Sequence, residues 1–254
     1  MNHDEMLRCI YHVFHPSLPR LGPGDSRFTR KAIETLRPLL GSKPLNILDL
    51  GCGNGTQTLC LADSLPGRIT AMDTHQPFLD ELNRRAKPAG LSEKIETRCL
   101  DMGSSDLPSG AFDLVWCEGA LYNLGLEAGL RQGLRLLRQG GCMAFTELCW
   151  LSDKRSAACQ DFFNRDQLNV IDVAANLAVI REVGFKEIGH FALPAESWWT
   201  DYYRPLQRRL VELKDEAARD ENLAEIIRGL EAEIDLFLTH HEEYGYVFYL
   251  LQKP

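Results

Sequence analysis

Asn46-Ile47-Leu48-Asp49-Leu50-Gly51-Cys52-Gly53-Asn54-Gly55-Thr56-Gln57 is the stretch that decides how this chain reads. Apolar residues run into three glycines separated by single residues, and a helical pattern follows at once. Glycine tolerates positive φ and lets a backbone approach a ligand with no Cβ in the way. A dinucleotide fingerprint asks for its third glycine at the position Thr56 occupies, so that match is incomplete. The plainer alternative is a glycine-rich turn that holds nothing.

Outward from this turn, short apolar runs alternate with helical patterns, the rhythm of a parallel sheet covered on both faces. Strands are expected at 45–50, 68–73, 94–100, 112–117, 142–147, 185–193 and 244–252, with helices at 56–64, 76–89, 126–138 and 173–183. Pro66-Gly67 and Gly140-Gly141 punctuate two helix ends. Residues 1–43 read as two helices around the Gly22-Pro23-Gly24 turn, and 195–241 as two amphipathic helices between the last two strands. Both additions are placed to fold over the carboxyl edge of the sheet, where open α/β folds bind ligands. No repeat or flexible linker divides the chain. It reads as one domain over 1–254: a helical cap at 1–43, a core at 44–193, a helical lid at 194–243 and a last strand at 244–254.

Composition narrows the function classes. The 254 residues are 44% hydrophobic and 25% charged, which excludes a disordered or low-complexity chain. A formal charge of −8 argues against a nucleic-acid or anionic-membrane partner, since either needs a basic face. No apolar run reaches the roughly 18–20 residues of a membrane span. Met1-Asn2-His3-Asp4-Glu5 lacks the shape of a signal peptide, so the cytoplasm is the expected compartment. Eight cysteines include no C-x-x-C pair, and Cys99, Cys117 and Cys142 lie in runs that read as buried strands. Reduced, buried thiols and no metal site are expected.

Asp49-x-Gly51-x-Gly53-x-Gly55 resembles motif I of the class I S-adenosylmethionine-dependent methyltransferases, and element order agrees from about Leu21 onward. Within that class the chain is similar to a group of small bacterial methyltransferases of poorly defined substrate. These carry a Gly-Pro-Gly turn upstream and a stretch like Glu118-Gly119-Ala120-Leu121-Tyr122-Asn123 after the fourth strand. The resemblance implies a Rossmann-like, seven-stranded, mostly parallel sheet with helices on both faces, and S-adenosyl-L-methionine as cofactor. It implies that Gly51 and Gly53 offer backbone to the cofactor, that Asn54 and Gln57 line the loop, and that Asp49 orients it or meets the cofactor's amino group. Asp73, eighteen residues past Gly55, would accept from both ribose hydroxyls. A local turn or helix cap is its plainer role. Asp101-Met102 would recognise adenine, the 116–123 segment would lie beside the methyl group, and Glu118 would touch the cofactor or polarise a substrate. A structural carboxylate bonded to nearby backbone is as good a reading of Glu118.

Methyl transfer from a sulfonium needs positioning and exclusion of water more than a catalytic constellation. Glu118, Tyr122 and Glu147 are the catalytic candidates. Tyr122, Trp150, Trp199 and Tyr202 are the substrate-binding candidates, the last two drawn from the aromatic run at 196–205. Trp199 and Tyr202, three apart, are expected on one helical face. His240-His241 reads as a solvent-facing helix end. A small molecule is the expected acceptor, and exposed aromatic helices leave room for a homodimer. The rivals are non-methylating use of the same cofactor, a cofactor-binding subunit without activity, and a nucleotide-dependent dehydrogenase.

Overall fold

Among the described residues, eight strands build one sheet in the computed structural model, which describes residues 2–104, 106–165 and 168–254. They are β1 (Leu45–Leu50), β2 (Gly67–Asp73), β3 (Ile95–Cys99), β4 (Phe112–Cys117), β5 (Leu137–Trp150), β6 (Ile171–Asp172), β7 (Lys186–Ala192) and β8 (Tyr244–Gln252). Their spatial order is β3-β2-β1-β4-β5-β8-β7, with β6 beside the far end of β5. β8 alone reverses direction, lying antiparallel to both β5 and β7. The strand order turns back at β1, between β2 and β4, so the β1–α3 loop opens at the topological switch point.

The helices are α1 (His3–Val13), α2 (Ser26–Leu40), α3 (Thr56–Ser64), α4 (Gln76–Ala86), α5 (Leu126–Leu136), α6 (Ala157–Arg165), α7 (Val173–Val183), α8 (Glu196–Trp198), α9 (Arg204–Glu212), α10 (Lys214–Ala217) and α11 (Glu221–His240). Side chains alternate across a strand, and β1 shows it: Ile47 packs with Leu36, Leu61 and Leu82 of α2, α3 and α4, while Leu48 joins Leu130 and Ile180 of α5 and α7. Capping carboxylates and amides start the key helices. Asn2 forms a reciprocal capping box with Glu5 on α1, and Asp25, Asp172 and Asp220 cap α2, α7 and α11.

A third core belongs to the helical additions. Cys9 and Val13 of α1 meet Leu206 and Leu210 of α9, Ile227 and Phe237 of α11, and the aromatic run at Trp198, Tyr202 and Tyr203. Arg8 pairs with Asp220 at 2.9 Å and His12 with Glu216 at 2.9 Å, so the two terminal-side additions hold each other. Together they stand over the carboxyl ends of β1, β4 and β5.

Several expectations need correction. The strand beyond the seven expected is β6, two residues long, Ile171 and Asp172 pairing with Cys149 and Trp150, too short to show periodicity. Residues 195–241 hold four helices and a π turn at Trp199–Tyr203, rather than two helices. α6 is an added helix, and α4 stops at Ala86, three residues early. Cys99 is exposed because β3 is the sheet's edge strand. The other seven cysteines are buried, and all eight are free thiols.

Candidate active site

The β1–α3 loop is built by three glycines at positive φ: Gly51 at 68°, Gly53 at 55° and Gly55 at 81°. Space forbids a side chain as firmly as φ does. A Cβ on Gly51 would stand 2.5 Å from that of Ala120, and one on Gly55 would stand 2.2 Å from Leu82 Cδ1. Beneath the loop, Asp49 is fully buried, and its Oδ2 accepts from Thr58 Oγ1 at 2.6 Å. Burial pushes the Asp49 carboxyl up to about 7, and Oδ1 has no partner. Gln57 Nε2 donates to the Cys52 carbonyl at 3.0 Å, which closes the turn from below.

The polar loop residues tie down the N-terminal segment. Asn54 Nδ2 donates to the carbonyls of Pro16 and Leu18, and Thr56 Oγ1 donates to that of Pro19 at 2.6 Å. Arg85 Nη1 reaches both, the Asn54 carbonyl at 3.1 Å and Thr56 Oγ1 at 2.9 Å. Thr56, the residue that spoils a dinucleotide fingerprint, therefore joins Asn54 in clamping residues 16–19.

A cavity of about 1500 Å³ opens from this loop across the ends of β1, β2, β4 and β5 and beneath the helical additions. Of the residues singled out in the sequence, its wall includes Gly51, Gly53, Asn54, Gln57, Asp73, Asp101, Met102, Glu118, Tyr122, Glu147 and Tyr202. At one end, Asp73 accepts the Gly53 N–H at 2.9 Å on Oδ2 and the His75 N–H at 3.0 Å on Oδ1. It is a turn-former and a wall residue at once. Asp101 accepts the Gly103 N–H at 2.7 Å. Met102 reaches over Gly51, its Cε 3.0 Å from where a Cβ would sit. Tyr11 of α1 closes this end by stacking on His75 at 3.7 Å.

Glu118 lies at the middle of the wall, with only 4% of its side chain exposed, and it is fully engaged. Oε2 accepts from Arg20 Nη1 at 3.1 Å, while Oε1 accepts from Thr29 Oγ1 at 2.7 Å and Trp116 Nε1 at 2.9 Å. Three donors offset the desolvation of a buried pair. Gly24, the end of the Gly-Pro-Gly turn, makes room for it: a Cβ there would be 2.5 Å from Arg20 Nη1. Arg20 Nε is buried on the same wall with no partner.

The far end is aromatic. Phe14, Trp198, Tyr202, Tyr203, Tyr244 and Tyr246 line it. Trp198 stacks on Phe237 at 4.4 Å and packs on Tyr246 at 5.1 Å, and the Tyr203 hydroxyl donates to Glu233 at 2.8 Å. Glu147, from the end of β5, faces this chamber. Its Oε2 is buried and unpartnered, and burial pushes the carboxyl up to about 7. Tyr122 is exposed at the rim.

The structure does not bring Asp49, Trp150 or Trp199 to the cavity wall. Asp49 lies under the loop. Trp150 is core, edge-on to Phe163 at 5.4 Å. Trp199 packs on the buried Tyr203 and Phe237, because the π turn's i→i+5 bonding takes residues three apart off one face. Arg20, Thr146, Trp198 and Tyr246 are wall residues that the sequence reading missed. Arg20 had one available signal, the Gly-Pro-Gly turn immediately downstream.

His240 also departs from expectation. Rather than facing solvent, it bonds Glu243 at 3.0 Å and contacts Ser156 Oγ at 3.3 Å. Cys159, His240 and Glu243 bring ligand-type atoms within 4.8 Å of one another. The Ser156 N–H first, then His240 and Lys154, hold the Glu243 carboxyl down to about 2, so that carboxylate is already well supplied with donors.

A glycine turn at the switch point, an acid at the end of β2, an acid after β3 and an open chamber beyond β4 and β5 define a class I methyltransferase fold. Residues 47–141 match the family described as a methyltransferase domain. The sarcosine/dimethylglycine N-methyltransferase of Halorhodospira halochloris is 28% identical over 167 residues, covering 64% of this chain and 59% of that protein. The 27-O-demethylrifamycin SV methyltransferase of Amycolatopsis mediterranei is 29% identical over 111 residues, covering 42% and 41%. The chain thus spans less than two thirds of the length of these relatives. A methyltransferase from Geobacter sulfurreducens, solved with S-adenosyl-L-homocysteine, superposes with a TM-score of 0.79 over 96% of this chain and 98% of that one, at 19% identity. The [4+2]-cyclase SpnF superposes at 0.74 over 98% and 93%, at 20% identity. At these identities the superpositions establish the fold alone.

Proposed function

We propose that this protein transfers a methyl group from S-adenosylmethionine to a small-molecule acceptor. One observation carries the reading: a single cavity joins the glycine loop, Asp73 and Asp101 to an aromatic chamber that ends on a desolvated carboxyl. The residues fit the cofactor. Gly51 and Gly53 leave backbone free of Cβ atoms, and the Asp73 oxygens each keep a lone pair for ribose hydroxyls beside their backbone bonds. Asp101 and Met102 supply an acceptor and an apolar cover for a purine. Arg20 Nε offers a buried donor for a carboxylate. When bound, the cofactor supplies a methyl group already activated on a sulfonium. The chain's own work is to hold the acceptor in line and keep water out, for which the α1 and α9–α11 cover is suited.

Both relatives' names describe methylation of small molecules, which supports an acceptor of that kind. The cyclase among the fold neighbours keeps non-methylating chemistry as the second reading. Incubation with S-adenosylmethionine and an acceptor panel, monitored for S-adenosylhomocysteine by mass, separates the two. Release of that nucleoside supports transfer, and product formation without it supports the second reading. No helix among the described residues is long and apolar enough to cross a membrane. Eight unpaired cysteines favour the reducing cytoplasm, and a charge of −8 disfavours nucleic acid. Val211 and Leu238, exposed on α9 and α11, support self-association as a homodimer.

A further inference from the structure

Glu147 carries a buried oxygen that meets no donor, whereas Glu233 of the same cavity accepts from the Tyr203 hydroxyl at 2.8 Å. Glu118 has three donors, and Asp73 and Asp101 accept backbone N–H groups. Glu147 Oε2 is buried without any. The titratable groups around it are Cys117 of β4, Tyr122 of the following loop, Cys149 of β5, and Tyr246 and Tyr249 of β8, and Glu233 of α11 acts on the same Tyr122 and Tyr246 hydroxyls. None of these is cationic, and burial alone raises the Glu147 carboxyl.

A second acceptor in the wall has the same deficit. Asn176 of α7 is fully buried, and its Nδ2 donates to Cys149 Sγ at 2.9 Å and the Tyr249 hydroxyl at 3.0 Å. Its Oδ1 has no donor. Cys149 lies two residues along β5 from Glu147, on the same face of the strand. Two buried acceptors thus wait on one side of a cavity whose wall also carries the rings of Trp198, Tyr202 and Tyr246 and, on α6 and α11, the charged side chains of Arg165, Glu225, Arg228 and Glu233. What completes such a place is a cation that donates hydrogen bonds and tolerates aromatic faces. An anion would meet the carboxylate's repulsion, and a neutral apolar molecule would leave both acceptors unsatisfied.

We propose that the acceptor is a protonated amine on an apolar body, and that Glu147 takes its proton. The proposal rests on the methyl-transfer reading. The N–H proton passes to Glu147, and the freed nitrogen lone pair forms the new N–CH3 bond. The electron pair of the broken S–CH3 bond stays on sulfur, so the positive charge moves from sulfonium to product ammonium. The proton leaves Glu147 to water when the product departs.

The test is calorimetry on the full chain with benzylamine, phenylacetate and benzyl alcohol, each titrated into protein saturated with S-adenosylhomocysteine. At pH 8 the amine should bind at least tenfold more tightly than the other two. Its affinity should fall several-fold at pH 6, where Glu147 is protonated. Glu147→Gln should abolish both the preference and the pH dependence while S-adenosylhomocysteine affinity stays within threefold. The parent's own pH dependence reads the same group without any substitution. Equal affinities for the three probes, or no amine binding, would overturn the amine assignment while the methyl-transfer reading stands. Failure of S-adenosylhomocysteine to bind would remove both.

Discussion

Asp73 has both carboxylate oxygens on backbone N–H groups before any ligand arrives, so its orientation is set in advance. Charge-assisted hydrogen bonds are worth roughly 1.5–3 kcal/mol each, and two ribose hydroxyls converge here in the proposed complex. Asp73→Ala should weaken S-adenosylhomocysteine binding by at least about tenfold with the fold retained; an unchanged affinity would remove Asp73 from the site. Glu147 makes a second prediction through linkage. Its carboxyl is raised from 4.5 to about 7, so the native state binds more protons than the unfolded chain between those values. Stability attributable to this group is complete below the unfolded value and is lost as pH rises through 7. Glu147→Gln should therefore melt higher than the parent at pH 8, by roughly 1–3 kcal/mol, and the difference should vanish near pH 4. A variant less stable than the parent at pH 8 would show that Glu147 has a partner. At this scale the sequence was legible where backbone geometry dictated the residue, as at Gly51, Gly53 and Gly55. It was less so at Asn54, whose side-chain contacts are to carbonyls 36 and 38 residues away.

Elements were legible in proportion to their length and punctuation. α3 and α7 occupy the residues expected of them, being bounded by Gly55 and Pro66 in one case and by Asp172 and Gly184 in the other. β6 rests on two residues and could not announce itself. The aromatic run departs from regular helical spacing at Trp199–Tyr203. The π turn there turns Tyr202 into the cavity and leaves Trp199 against Tyr203 and Phe237. Trp199→Ala should consequently cost stability, about 2–3 kcal/mol for a half-buried indole, and leave S-adenosylhomocysteine affinity within about threefold. Denaturant unfolding beside a cofactor titration reads both quantities. A neutral effect on stability would place Trp199 outside the packed core.

Across the whole molecule, the site depends on residues far apart in sequence. Arg20 and Glu118, 98 positions apart, form a pair with side chains 4% exposed on each side. Breaking such a pair from one side leaves a buried charge and costs about 3–5 kcal/mol. Arg20→Met should lose that much stability, and Arg20→Met combined with Glu118→Gln should recover most of it. Recovery failing in the double variant would mean that Arg20 acts by packing rather than by charge. Nothing in local periodicity reports a contact of this kind, which is why the glycine loop was legible and the Arg20–Glu118 pair was not. The central claim is that the cavity at the switch point takes S-adenosylmethionine. Calorimetric titration of the full chain with S-adenosylhomocysteine and, separately, NAD tests it most directly. Micromolar affinity for the sulfur nucleoside with weak or no NAD binding is the predicted result; tight NAD binding with no response to S-adenosylhomocysteine would contradict it.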